Sequence, residues 1–400
     1  MDKQKNKDHR QIGQELDLFS FHDIAPGAVF WHPKGWTIYR TLQGFIRKKL
    51  ALVGYQEIST PVMVKSDLFK KSGHWDFYSE NMFNLNVEKE PYSLKPMNCP
   101  EASLIYAVKT RSYQDLPLRF SEFGILHRNE LSGVLGGLFR VRQFVIDDAH
   151  HFIQPSQIQD EISKLLLLVV DFYKSLNFKP EFYFSTKPDK AMGDPNLWKQ
   201  AEKDLEEALK NSKVKYGIKE KDGAFYGPKI DIHIKDSQER DWQLATIQLD
   251  FQIPERLKLE YIDKDGKAKR PVIIHRAILG SIERFIGILT EHYQGAFPTW
   301  LSPVQVMILP IADRHQEYAK KVLEKLITNG IKAEIDSRQE TLQAKIRDGS
   351  LQKVPYLGII GDRETKDGKI SIRTREGKDL SQIKLSNFLN RLKEEIDKKI

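Results

Sequence analysis

Hydrophobic positions along the chain switch between a spacing near 3.6 and a spacing of two, and each switch marks a new element. After a polar lead-in that turns helical by residue 20, Ile38, Leu42, Phe45, Ile46 and Leu50 keep helical spacing between Trp36 and Gly54. Gly54 can close that helix. Residues 55–60 read as a strand running into Pro61, which donates nothing to a ladder and belongs at an edge or strand end. Residues 155–175 predict a helix with Ile158, Ile162, Leu165, Leu166, Val169 and Phe172 toward the core. Residues 180–220 add a strand and a charged helix over 196–210. Ile230, Ile232 and Ile234 then alternate inward, which leaves Lys229 and His233 on the opposite face, where solvent exposure is the default. Residues 241–251 form another strand. A strand at 272–275 is expected to pass without a break into a helix over 276–292. Ile278, Ile282, Phe285 and Ile286 face its core, and Gly280 and Arg284 lie four apart on one side. An Arg among those core positions is costly unless it meets an anion.

Residues 297–303 carry two prolines and read as a linker. Beyond them strands at 304–309, 331–335, 356–360 and 369–375 alternate with helices at 317–328, 342–348 and 385–396. That pattern predicts an α/β domain with a mixed sheet.

The stretch from Leu118 to His150 carries the densest chemistry. It reads as two strands joined by the loop Leu131-Ser132-Gly133-Val134-Leu135-Gly136-Gly137. The second strand is expected over 138–150. Its even positions are Arg140, Arg142, Phe144, Ile146, Asp148 and His150, while Phe139, Val141, Val145 and Ala149 are odd. A solvated outer face is the ordinary reading of a charged strand. A ring and an Ile among the charges, followed by Asp-Asp-Ala-His, favour a nucleotide instead. Arg suits phosphate oxygens, Phe stacks on a base, and a carboxylate with His suits something cationic.

Composition narrows the class. Four hundred residues, 40% apolar and 30% charged, suggest two or three globular domains with ample core. The net charge is +8, and the last hundred residues carry 20 Lys/Arg against 15 Asp/Glu. That basic excess suits a polyanion without identifying one. Cys99 is the single cysteine, so the chain forms no internal disulfide, which points to a reducing cytosol. The first residues lack the apolar stretch of a secretion signal, and the aliphatic run Leu165–Val170 is too short to cross a bilayer. Cys99 follows Lys95-Pro96-Met97-Asn98, with no CxxC or HxxH spacing around it. Spacing alone therefore does not nominate it as a zinc ligand.

The segments FGILHRNE and GLFRVRQFVIDDAHHF closely resemble motif 2 of the class II aminoacyl-tRNA synthetases, specifically the threonyl-tRNA synthetase family. The resemblance extends over nearly the whole chain, through GWTIYRTLQGFIRKKL, SGHWDFY, KPMNCP, AFYGPKIDI, TIQLDF, IIHRAILGSIERFIGIL and FPTWLSPVQV. It implies an α+β catalytic domain over 1–298, with a mostly antiparallel sheet flanked by helices. An anticodon-binding α/β domain would follow over 299–400. It implies ATP, with Mg²⁺, and L-threonine as substrates, tRNA(Thr) as partner, and a cytoplasmic homodimer built through the 36–54 helix, the next strand and Pro61. Cys99, His150 and His275 would hold one Zn²⁺ per subunit. Arg128 would take the α-phosphate and the threonine carboxylate, Lys229 the reacting phosphate and Arg284 the distal phosphates. Glu130, Arg140, Phe144 and Gln243 complete the implied ATP site, and Asp148, Tyr226 and Gln248 the threonine site. His74 would stand at the mouth, near the tRNA 3′ end, and Glu364 and Arg373 would read anticodon bases.

Five residues depart from the family pattern. Ile146 stands in place of a Gln in the amino-acid pocket, Glu101-Ala102 in place of Gly-His, Gly136 in place of His, and Gln339 in place of an Asn in the anticodon domain. Family members commonly carry N-terminal modules, including one that hydrolyses Ser-tRNA. This chain starts at the catalytic domain, either as part of a longer protein or as a natural form without editing, and seryl-tRNA formation is expected of it. Two rivals are a non-catalytic paralogue that binds structured RNA through 301–400, and a prolyl- or seryl-type class II enzyme without stoichiometric zinc.

Overall fold

The computed structural model describes residues 6–399. The chain divides into two compact units: one holds residues through Ser20, Phe30–Phe45 and Ile288 onward, and the other holds Phe21–Val29 and Ile46–Gly287. In the second unit an eight-stranded sheet runs in the order Tyr216–Lys219, Glu181–Ser185, Lys229–Lys235, Asp241–Asp250, Val272–Ser281, Gln143–Ile153, Leu118–His127, Gln56–Glu57. The two outermost pairings are parallel and the five between them antiparallel, as expected for the catalytic fold. Helices Ile158–Lys174 and Pro195–Asn211 pack on each other and on the 241–250 strand. Ile158, Ile162, Leu165, Leu166, Val169 and Phe172 are buried, as their spacing predicts, and so are Ile230, Ile232 and Ile234.

Several boundaries differ from expectation, each for a local reason. The second hairpin strand begins at Gln143, not Leu138, because Gly137–Phe139 forms a 3₁₀ turn and the Arg142 amide donates to Gly27 O at 2.7 Å. Only Gln56–Glu57 of the 55–60 segment pairs, at the sheet edge. The largest difference is at 276–281, which continues the strand; the helix is Ile282–His292. The Ile278 and Leu279 amides donate to the Asp147 carboxylate instead of to helical carbonyls, and Gly280 has φ +68. Gly280 and Arg284 are therefore not on one helix face. Cys99 opens a helix, Cys99–Ala107, that periodicity did not suggest.

The other unit contains a five-stranded mixed sheet in the order Ala333–Ile335, Val306–Pro310, Tyr356–Ile360, Lys369–Thr374, Asp379–Lys384. The first two pairings are parallel and the last two antiparallel. Helix Asp362–Asp367 and strand Asp379–Lys384 were not anticipated. The stretch read as a linker is packed: Phe297, Trp300 and Leu301 are all buried. Among the described residues no helix is long and apolar enough to cross a membrane.

Candidate active site

Three strands and a helix start bring distant residues together. His275 sits opposite His150 in the antiparallel register, so both imidazoles leave the same face of the sheet. Cys99 reaches that face from the first position of its helix. One ligand atom from each of Cys99, His150 and His275 lies within 4.8 Å of the others, and all three residues are buried. His150 Nε2 has no hydrogen-bond partner although it is buried. His275 Nε2 lies 2.9 Å from Oδ2 of the fully buried Asp250, which leaves Nδ1 for the centre. Burial holds His150 well below the usual imidazole range, in the neutral form a metal needs, and pushes the Cys99 thiol up. A cation among these groups reverses that effect on the thiol. One thiolate and two imidazoles, one of them held by a carboxylate, fit an open zinc position.

Around this centre Asp148 Oδ2 lies 4.0 Å from His150 Nε2 and accepts from Asn98 Nδ2 at 3.1 Å. A Cβ at Gly124 would come within 2.2 Å of Asn98 Oδ1, so glycine there leaves room for the amide. The buried Tyr226 donates its hydroxyl to Gln248 Oε1, and its ring centroid is 5.0 Å from that of His275. His74, expected at an open mouth, is fully enclosed. Its Nε2 is 3.1 Å from Cys99 Sγ and its Nδ1 2.9 Å from Ser72 Oγ, and burial first, then the charges of His275 and Arg256, lower its pKa to about 3.

Alongside lies a cavity of about 400 Å³ whose lining includes Arg128, Glu130, Arg140, Phe144, Gln243 and Arg284. These six were all implied as ATP contacts. Arg128 lies over the Phe144 ring at 5.1 Å, and Glu130 accepts from Arg140 Nε at 2.8 Å. Arg284 Nε is buried without a partner, and burial together with the Arg140 charge lowers its pKa. Its guanidinium lies 5.4 Å from the Trp242 ring centroid. A half-buried guanidinium whose Nε lacks a partner and which lies next to another cation is poised for an anion. Ile146 forms part of the wall. Arg142, although on the even face, turns away and donates to Glu130 O at 2.9 Å.

Lys229 is largely covered, not solvated. It pairs with the buried Asp231 at 2.8 Å, which also accepts from Gln243 Nε2 at 2.6 Å and Ser185 Oγ at 2.7 Å. In the other unit the Glu364 carboxylate accepts from Gly361 N, Ser371 Oγ and Gln382 Nε2 at 2.7–3.0 Å, so it is engaged as an internal cap. Arg373 is exposed. Asn98, Asp250, Asp231 and the buried Asp147–Arg276 pair escaped the sequence reading. No spacing signal identifies them, because each acts across strands that only folding aligns.

Residues 83–293 match the tRNA synthetase class II core domain (G, H, P, S and T), and residues 305–395 match an anticodon binding domain. The chain is 52% identical to a threonine–tRNA ligase of Caldanaerobacter subterraneus over 99% of its own length and 62% of that protein. It is 50% identical to one of Carboxydothermus hydrogenoformans over 100% of its length and 63% of the relative. The chain therefore spans somewhat less than two thirds of these curated relatives. Among solved structures it resembles the RNA binding domain of threonyl-tRNA synthetase from Cryptosporidium parvum. There the TM-score is 0.94, the identity 41%, and the coverage 97% of this chain and 98% of that one. A prolyl-tRNA synthetase of the same organism shares the fold at a TM-score of 0.74 and 16% identity, over 98% of this chain and 75% of that one.

Proposed function

Because the chain belongs to the class II tRNA synthetase core family, we propose that it activates L-threonine with ATP and transfers the threonyl group to tRNA(Thr) in the cytoplasm, as a homodimer. The observation that carries this reading is the meeting of Cys99, His150 and His275 beside a cavity lined by Arg128 and Arg284. In the first step the threonine carboxylate attacks the α-phosphorus of ATP, which enters with Mg²⁺, and pyrophosphate leaves. Both reactants are anionic, so the protein's work is to position them and neutralise charge. Arg128 holds the α-phosphate and carboxylate, Lys229 the reacting phosphate, and Arg284 the distal phosphates. Phe144 stacks on adenine with Glu130 accepting from its exocyclic amine, and Arg140 and Gln243 complete the nucleotide contacts. In the second step the terminal ribose hydroxyl of tRNA takes the threonyl group and AMP leaves.

Cys99, His150 and His275 would hold the zinc, which would supply Lewis acidity toward the threonine amine and hydroxyl. Asp148 accepts from that hydroxyl, and Tyr226 and Gln248 bound the amino acid. The enclosed His74 is assigned no step. Glu364 and Arg373 are the candidates for anticodon contact, Arg373 from an exposed position. Threonine-dependent exchange between ATP and labelled pyrophosphate tests the reading: exchange that requires threonine supports it, and none would leave the RNA-binding alternative.

A further inference from the structure

One strand serves both halves of the proposed site. Its first part, Val272–Ala277, carries His275 opposite His150 and pairs Ala277 with Asp148. Its last part leads into Gly280, Ser281 and Arg284, which line the nucleotide cavity. Between them the ladder is interrupted: Ala277 pairs with Asp148, and the next pair is Ser281 with Ile146. Residues 278–280 thus stand opposite a single residue, Asp147, an expansion that would otherwise strand backbone amides in a dry interior.

Asp147 fills the gap. Its carboxylate accepts from Ile278 N at 3.0 Å and Leu279 N at 2.7 Å, and from Arg276 Nη1 at 3.0 Å. Arg276 also donates to the Asp147 carbonyl at 2.8 Å and lies 5.0 Å from the Tyr55 ring centroid. Behind it the Tyr55 hydroxyl is 2.8 Å from His151 Nε2, and His151 Nδ1 is 3.1 Å from Glu161 Oε2. Asp147 and Arg276 are both almost fully buried, so a change here has no water to fall back on. A slip of one residue in this register would turn His275 to the opposite face of the sheet.

We infer that Asp147 is a positioning residue that locks the metal-holding and nucleotide-holding halves of the site into one register. It touches neither substrate, and the inference rests on the reading of the site given above. The test uses the whole chain and two separate constants: zinc affinity by competition with a chromophoric chelator in the absence of nucleotide, and affinity for adenylyl imidodiphosphate in the absence of zinc. Asp147→Asn, which offers one acceptor oxygen where two amides need one each, should weaken both by about tenfold or more. Tyr55→Phe, one step further along the chain of contacts beyond Arg276, should weaken both by about threefold. Leu166→Ala, a core truncation in the 158–174 helix, should lower the melting temperature and leave both constants unchanged, because stability alone does not set register.

Folded Asp147→Asn protein with either constant within about twofold of the parent would overturn the inference. If that variant does not fold, Tyr55→Phe decides by the same two constants. The parent's own zinc constant is read first, so a parent that binds no zinc counts against the metal reading and is told apart from a parent that binds zinc unaffected by Asp147.

Discussion

Asp250 Oδ2 stands 2.9 Å from His275 Nε2, and the Asp250 side chain is fully buried. The pair fixes which ring nitrogen carries the proton. His275 donates from Nε2 and turns Nδ1 toward Cys99 and His150. A partner of this kind orients the imidazole and raises its basicity, and its loss typically costs 10–100-fold in metal affinity. Asp250→Ala is therefore expected to weaken zinc binding by about that factor, read by chelator competition. An unchanged zinc constant would mean that His275 is not a ligand.

Arg284 makes a separate prediction. Its Nε is buried and unsatisfied, and Trp242 holds the guanidinium plane. A charge kept in that condition acts when an anion arrives. Arg284→Ala should raise the KM for ATP by about tenfold or more while the KM for threonine changes by less than about threefold. Initial-rate exchange kinetics at varied ATP and threonine check the split, and equal effects on both would contradict it.

Much of this site was legible in the sequence, and the limits of that legibility have physical causes. The alternation Phe144, Ile146, Asp148, His150 placed four residues on one face, because a strand's period is fixed by its pleat. Cys99 and His275 could be joined to His150 only through family likeness, since the contact is made by a helix start and a strand far away in the chain. The 276–281 segment was misread for a specific reason. Its apolar residues suit either a helix or a buried strand, and the deciding partner, Asp147, lies more than a hundred residues earlier. The odd positions named for the expected 138–150 strand, Phe139, Val141, Val145 and Ala149, are all apolar, yet the same face carries Asp147, buried against Arg276. Lys229 was given to solvent by default, whereas the buried Asp231 two residues on draws it in.

On the proposed reading the site holds a hydroxyl, and amino-acid selectivity follows from that. Valine would not complete the contacts to Asp148 and the metal, and should be activated about 10⁴-fold less efficiently than threonine, or worse. Serine keeps the hydroxyl and lacks one methyl, worth ~1–3 kcal/mol, so its kcat/KM should fall only about 10–200-fold. Exchange assays with the three amino acids separate these cases. Valine activated as well as serine would remove the hydroxyl from the account.

Glu283 gives a pH prediction away from the metal. Burial raises its carboxyl from 4.5 to about 7, while Val145 N and Ser281 Oγ donate to it at 3.0 Å. A carboxyl raised in the folded state binds its proton more tightly there than in the unfolded chain. Its charged form therefore destabilises the fold as pH rises above the unfolded value of 4.5, and the penalty levels off past about 7. The full effect is on the order of 3 kcal/mol. Glu283→Gln keeps an acceptor oxygen and removes the titration. It should be more stable than the parent at pH 8 and nearly equal to it at pH 5, as measured by urea unfolding. A difference that does not shrink on acidification would contradict this.

In the proposed site one sulfur and two imidazoles grip a metal on which threonine recognition depends. Metal content of the dialysed protein, measured beside threonine-dependent exchange in the same samples, tests it most directly. About one zinc per chain is expected, lost together with exchange in Cys99→Ala and in His150→Ala. Parent protein that exchanges pyrophosphate at full rate with threonine while holding no zinc would contradict it.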